Sequence, residues 1–144
     1  MSTKDLKLLV LHFAEECNKG KAAAMAVIDE TIATNYILHN GFGKDIHGVD
    51  DLKKIMSALY DAFPDSHTTI EDIIIEGDKA VIRYTNIGTH KGQYMGIPAT
   101  NKKVTLSVID INRIASGKIV EAWERFDTLG MMQQLGIIPT PGKK

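Results

Sequence analysis

At Pro64 the sequence changes period, and that change constrains the fold more than any other feature. Before it, apolar residues recur at helical spacing. After it come strand-like runs separated by turn signals. Helices followed by an antiparallel meander give an α+β domain with its helices on one face of the sheet.

Ser2 and Asp5 have the spacing of a capping box, with an acid in the first turn to complement the positive helix end. Leu6, Leu9, Val10, Phe13 and Cys17 then mark one helix face, and Gly20 supplies the stop. A second, Ala-rich helix covers Lys21 to Glu30. Its continuation, Thr31 to Asn40, carries Tyr36, Ile37, Leu38 and His39 up to the breaker Gly41-Phe42-Gly43. The third helix runs from about Val49 to Phe63, with Leu52, Ile55, Met56, Leu59 and Phe63 on one face. Strand-like runs follow from Thr68 to Glu76, Ala80 to about His90, Val104 to Ile114 and Lys118 to Asp127. Gly77-Asp78, a loop from Lys91 to Asn101, and Ser116-Gly117 join them. A short helix from Leu129 to Leu135 closes the pattern. A long, strongly bent sheet of this kind can wrap around a helix and leave a pocket at one end.

A chain of 144 residues has the size of one domain, taken to span 1–144. Its 17 basic and 18 acidic residues leave a net charge of −1, which gives no pull toward nucleic acid or an anionic membrane. Cys17 is the sole cysteine, so an intramolecular disulfide and a multi-cysteine metal site are excluded; it reads as a small core residue. The first residues lack the order of a secretion signal, and no apolar run approaches the ~20 residues that span a bilayer. A cytoplasmic location is the expectation.

In the last strand, alternation puts Glu121, Trp123, Arg125 and Asp127 on one face, with Val120, Ala122 and Phe126 on the other. Trp, Arg and Asp together suit a pocket wall: an indole for a planar ligand, a guanidinium for negative charge, a carboxylate to move a proton. Asp127 also stands where the strand meets the last helix, so it could equally be that helix's N-cap. Trp123 would push its pKa up by desolvation and Arg125 would push it down. His39 and His90 end apolar runs beside glycines and are the histidines placed to reach a pocket. None of the histidines has metal-ligand spacing, so no metal is expected. Neither a Gly-x-Ser-x-Gly elbow nor a glycine-rich phosphate loop occurs, and no cofactor is expected.

The ordered set Ala62-Phe63-Pro64-Asp65, Glu76-Gly77-Asp78-Lys79-Ala80-Val81, Gly88-Thr89-His90-Lys91-Gly92 and Gly96-Ile97-Pro98-Ala99-Thr100-Asn101-Lys102 resembles the SnoaL-like polyketide cyclases, or ester cyclases. Gly117 to Trp123 leading to Asp127, then Gln134-Leu135-Gly136, continues the resemblance, as does His39-Asn40. The resemblance implies the cone-shaped fold shared with nuclear transport factor 2 and ketosteroid isomerase, commonly as a homodimer. It also implies a carboxylate at the end of the last long strand, here Asp127, as general acid/base for an intramolecular aldol condensation without metal or cofactor. Two departures stand out. Arg125 and Arg113 occupy the neighbourhood where the characterised cyclases place histidines, and Asn101 stands where a glycine is usual.

The leading expectation is therefore an enzyme acting on a small, hydrophobic, carbonyl-bearing molecule. Asp127 would be its acid/base, His39 and His90 polar partners, Trp123 an aromatic wall, and Arg113 or Arg125 an anion holder. An isomerase on the same fold would use a tyrosine and a protonated acid, for which Tyr84 and Asp110 are available; an epoxide hydrolase would need two aspartates bridged by an arginine. A ligand-binding domain without catalysis is the third reading.

Overall fold

The computed structural model describes residues 1–39 and 44–142. Helices α1 (Thr3–Cys17) and α2 (Lys21–Thr31) lead into strands β1 (Ile32–His39) and β2 (Asp45–His47). Helix α3 (Gly48–Ala62) follows, then β3 (His67–Glu76), β4 (Lys79–Thr89), β5 (Lys103–Ala115), β6 (Lys118–Phe126) and α4 (Thr128–Gln134). The α+β expectation holds, with six strands in one sheet in the order β2-β1-β6-β5-β4-β3.

The N-terminal capping box forms as its spacing suggests: Ser2 Oγ accepts from the Asp5 N–H at 3.1 Å, and Asp5 accepts from the Ser2 N–H at 3.2 Å. Asn18, which caps the other end of α1, exchanges two 2.8 Å bonds with the backbone of Thr68 and so ties the helix to β3. The β5–β6 hairpin turns on Ser116 and Gly117, whose φ angles of 50° and 76° are both in the left-handed region that a tight hairpin needs.

Two elements depart from the sequence reading, which expected neither β1 nor the short strand β2 (Asp45–His47) that pairs with it. The stretch after α2 does not continue as helix; it becomes β1, which runs parallel to β6 and pairs Leu38 with Ala122 and His39 with Trp123. Ile32, Thr34, Tyr36 and Ile37 explain the change. β-Branched and aromatic side chains lose rotamer freedom on a helix and fit a pleated, half-buried surface better. The breaker Gly41-Phe42-Gly43 lies outside the described residues.

The sheet bends because its ladders are interrupted. Register shifts fall between Ile32 and Ile37, between Ile70 and Asp72, and between Arg113 and Ile114, and such bulges raise local twist and curvature. The main core joins Leu6, Val10 and Ile28 of the first helices to Tyr36, Ile82, Ile114 and Ala122 of the sheet. A second cluster of Phe63, Tyr94, Val104, Met131 and Leu135 closes the other end. Among the described residues no helix is long and apolar enough to cross a membrane.

Candidate active site

Between α1, α3 and the concave face of the sheet lies a cavity of about 270 Å³. Strand alternation decides what faces it. β4 contributes Ile82, Tyr84, Asn86 and Gly88; β5 contributes Val104, Leu106, Val108, Asp110 and Asn112; β6 contributes Ala122, Glu124 and Phe126. From the helices come Val10, Phe13, Ile55, Met56 and Leu59. The wall is therefore mostly apolar, with a few polar groups converging on it, as small-molecule sites usually are.

Two of those polar groups are acids. Asp110 and Glu124 are direct cross-strand partners of β5 and β6, which sets their Cβ atoms roughly 5 Å apart. Burial holds the Asp110 carboxyl well above the ordinary carboxylate range, and the neighbouring Glu124 charge adds to the effect. Burial also raises Glu124, but the hydrogen bond from Asp110 favours its charged form. Facing carboxyls that are both raised titrate as a coupled pair and favour retention of a proton between them. Asp110 Oδ1 is buried and has no hydrogen-bond partner among the described residues.

Tyrosines surround this pair. Tyr84 lies beside Asp110, and its phenol is held protonated by burial and by the two carboxyls. The phenols of Tyr36 and Tyr94 are likewise raised by burial, with Glu124 close to both and Asp110 close to Tyr36. Further along the wall, Asn86 donates to Ser66 Oγ and to Thr68 Oγ1, each at 3.0 Å. Cys17 also lines the cavity, but burial pushes its thiol up to about 11, which leaves it a poor nucleophile.

The residues singled out from sequence lie elsewhere, and none of Asp127, His39, His90, Arg113, Trp123 and Arg125 lines the cavity. Asp127 heads α4, where its carboxylate accepts from the Gly130 N–H at 2.8 Å. A Cβ on Gly130 would collide with that carboxylate, so the cap is tightly seated. His39, Trp123, Glu121 and Arg113 do come together, but on the outer face of the sheet. His39 stacks on Trp123 with ring centroids 5.4 Å apart and bridges Asp45 at 3.0 Å and Glu121 at 2.8 Å. Arg113 reaches Glu121 at 3.1 Å, and Arg125 donates to the Glu124 backbone carbonyl. His90 is fully buried behind Phe63; its Nδ1 accepts from the Thr100 N–H at 3.2 Å. Its backbone also ties the ends of the loop before β5, with His90 N–H donating to the Lys102 carbonyl and Asn101 N–H to the His90 carbonyl.

A model of the SnoaL-like polyketide cyclase family matches residues 8–135. The chain belongs to that family. Solved structures agree with the assignment. A SnoaL-like protein from Jannaschia sp. CCS1 superimposes with a TM-score of 0.87 at 20% identity, covering 96% of this chain and 98% of that one. IdmH of Streptomyces antibioticus, a proposed polyketide cyclase, gives 0.77 at 25% identity over 91% of this chain and 98% of its own. A Catenulispora acidiphila protein with the ketosteroid isomerase-like fold gives 0.73 at 14% identity, over 90% and 93% of the two chains. No relative with a curated function matches the sequence.

Within this SnoaL-like frame, sequence reasoning passed over Glu124 and met Asp110 and Tyr84 only as candidates for an isomerase. A signal was present. Glu124 shares a strand face with Ala122 and Phe126, and an acid on an apolar face requires a partner or a proton.

Proposed function

We propose that the chain is a cofactor-independent enzyme acting on a small, hydrophobic, carbonyl-bearing substrate, with the Asp110–Glu124 pair as its acid/base. The observation that supports this is the placement of two half-buried, facing carboxyls on the wall of a mostly apolar cavity. Paired carboxyls with shifted pKa values provide a base and an acid at one pH. Glu124 accepts a proton from the carbon beside the substrate carbonyl. The C–H electron pair moves toward that carbonyl, and the charge on its oxygen is stabilised by donors from Tyr84 and protonated Asp110. In an aldol-type ring closure, the enolate carbon attacks a second carbonyl of the same molecule. A C–C bond forms, and the new alkoxide takes the proton back from Glu124.

Isomerisation is the second reading, favoured by the contact of Tyr84 with Asp110. It shares the first step and returns the proton to a different carbon. Both are tested by following exchange of the α-hydrogens of 4-phenylcyclohexanone in heavy water by NMR. Acceleration over buffer is expected. A cavity that binds the ketone without accelerating exchange would mark a ligand-binding domain instead.

The homodimer is also a proposal, with the outer sheet face as its surface. There Ile109 is 50% exposed and Ile87 37%, on strands β5 and β4. A two-chain species in sedimentation, lost in Ile109→Glu, is the expected result.

A further inference from the structure

We propose that Asn86, set in place by Ser66 and Thr68, is a second recognition point in the cavity, one that binds a hydroxyl group carried by the substrate at the end remote from its reacting carbonyl. The proposal rests on the acid/base reading above only for which end of the molecule reacts.

Asn86 stands on the inward row of β4, four residues beyond Ile82, which pairs with Asp110. Four residues of strand span about 13 Å, so Asn86 lies at the other end of the cavity from the acid pair. Between them the wall is formed by Tyr84 and by the apolar Phe63, Leu106 and Val108. Asn86 faces Thr68 directly across the β3–β4 ladder. A polar cluster on an apolar cavity wall carries a desolvation cost. The fold of the strands does not require it, because the backbone groups there are already paired in the ladder.

The hydrogen bonds define what the cluster offers. Both amide hydrogens of Asn86 are committed, one to Ser66 Oγ and one to Thr68 Oγ1, each at 3.0 Å. This fixes which way the amide faces. Its Oδ1 meets only Ser66 Oγ at 3.4 Å, longer than the usual O–H···O range of about 2.5–3.0 Å, and so keeps acceptor capacity. The Ser66 hydroxyl turns its hydrogen toward Oδ1 in that long contact, whereas the Thr68 hydroxyl, which accepts from the amide, retains a hydrogen to donate. An acceptor and a donor within one patch complement a hydroxyl, which donates and accepts at once. A carboxylate or phosphate fits poorly, since no Lys, Arg or His lines the cavity among the described residues. A substrate lacking the hydroxyl leaves the cluster without a ligand partner, which is how hydrogen-bonding sites discriminate against such analogues.

Two elongated ketones that differ only in this group provide the test: 4-phenylcyclohexanone and 4-(4-hydroxyphenyl)cyclohexanone. Their dissociation constants are measured by calorimetry on the wild type, Asn86→Leu and Thr68→Val. On the wild type the hydroxylated ketone is expected to bind about five- to tenfold more tightly. Asn86→Leu should erase that preference while still binding the unhydroxylated ketone, which doubles as the check that the variant is folded. Thr68→Val, nearly isosteric, should reduce the preference without removing it. A wild type that binds neither ketone, or binds both equally, overturns the proposal, as does an Asn86→Leu variant that keeps the preference. Hydrogen exchange on the same ketones separates the two readings. Exchange without hydroxyl preference sinks the Asn86 site alone; preference without exchange sinks the acid/base assignment alone.

Discussion

Asp110 and Glu124 face one another across the β5–β6 ladder, and both side chains enter the cavity. Their folded pKa values lie above the ordinary carboxylate range, so the folded protein retains protons that the unfolded chain releases. The sign follows from linkage. Stability is highest at low pH with respect to this pair and falls as pH rises from about 4 toward the folded values, with a slope of up to about 1.4 kcal/mol per pH unit for each group. Asp110→Asn removes one of the two raised groups. Its urea midpoint is expected to vary less with pH than that of the wild type; an unchanged slope would show that the pair is not protonated in the fold.

Asp127 gives a contrasting expectation. Its carboxylate caps α4 and is exposed to solvent. Asp127→Ala should lower stability by about 1 kcal/mol, the usual cost of losing an N-cap. Asp127→Asn keeps an acceptor and should be close to neutral. Chemical denaturation of the two variants, beside their rates of ketone exchange, distinguishes a cap from a base.

His39 links β1, β2 and β6 on the outer face. Its hydrogen bond to Glu121, and then that to Asp45, raises its pKa above 6.5. The hydrogen bond to His39, followed by the contact with Arg113, lowers Glu121 below 4.5. The His39 contribution is therefore fully present below pH 6.5 and lost as pH rises through the raised value. That of Glu121 is present above 4.5 and lost on acidification through its lowered value. The stability difference between wild type and His39→Gln should shrink on going from mildly acidic to alkaline pH. A difference that grows instead would contradict the ion pair.

Gly92 approaches the end of α3 so closely that a Cβ there would overlap the Asp61 carbonyl. Lys91 and Gly92 both donate to the Ala62 carbonyl, which anchors the loop before β5 against that helix. Gly92→Ala should cost about 1–3 kcal/mol through overpacking against backbone. Gly88→Ala meets Phe63 Cβ at 3.1 Å, a milder approach than that at Gly92, and should cost less while narrowing the cavity. Thermal melts of the pair check the order.

Much of the fold was legible. Pro64, the hairpin turns at Gly77-Asp78 and Ser116-Gly117, and the run of apolar residues on α3 locate the helices and the four long strands to within a residue or two. β1 was not legible as a strand, because its pairing with β6 is long-range and parallel, with no hairpin to announce it. The site was harder for a related reason. Trp123, Arg125 and Asp127 look functional as a group, yet only the direction of sheet curvature tells which face of β6 is concave. Period two gives two faces and does not say which encloses the cavity. Glu124 alternates with Trp123 and falls inside; the residues that drew attention fall outside.

The most direct measurement is α-hydrogen exchange of 4-phenylcyclohexanone in heavy water, compared among wild type, Glu124→Gln, Asp110→Asn and Asp127→Asn. A general base at Glu124 should make Glu124→Gln slower by about 10²–10⁴-fold, with Asp110→Asn also impaired and Asp127→Asn close to wild type. Wild-type exchange in Glu124→Gln, with loss in Asp127→Asn, would place the base at the end of β6 and contradict the assignment.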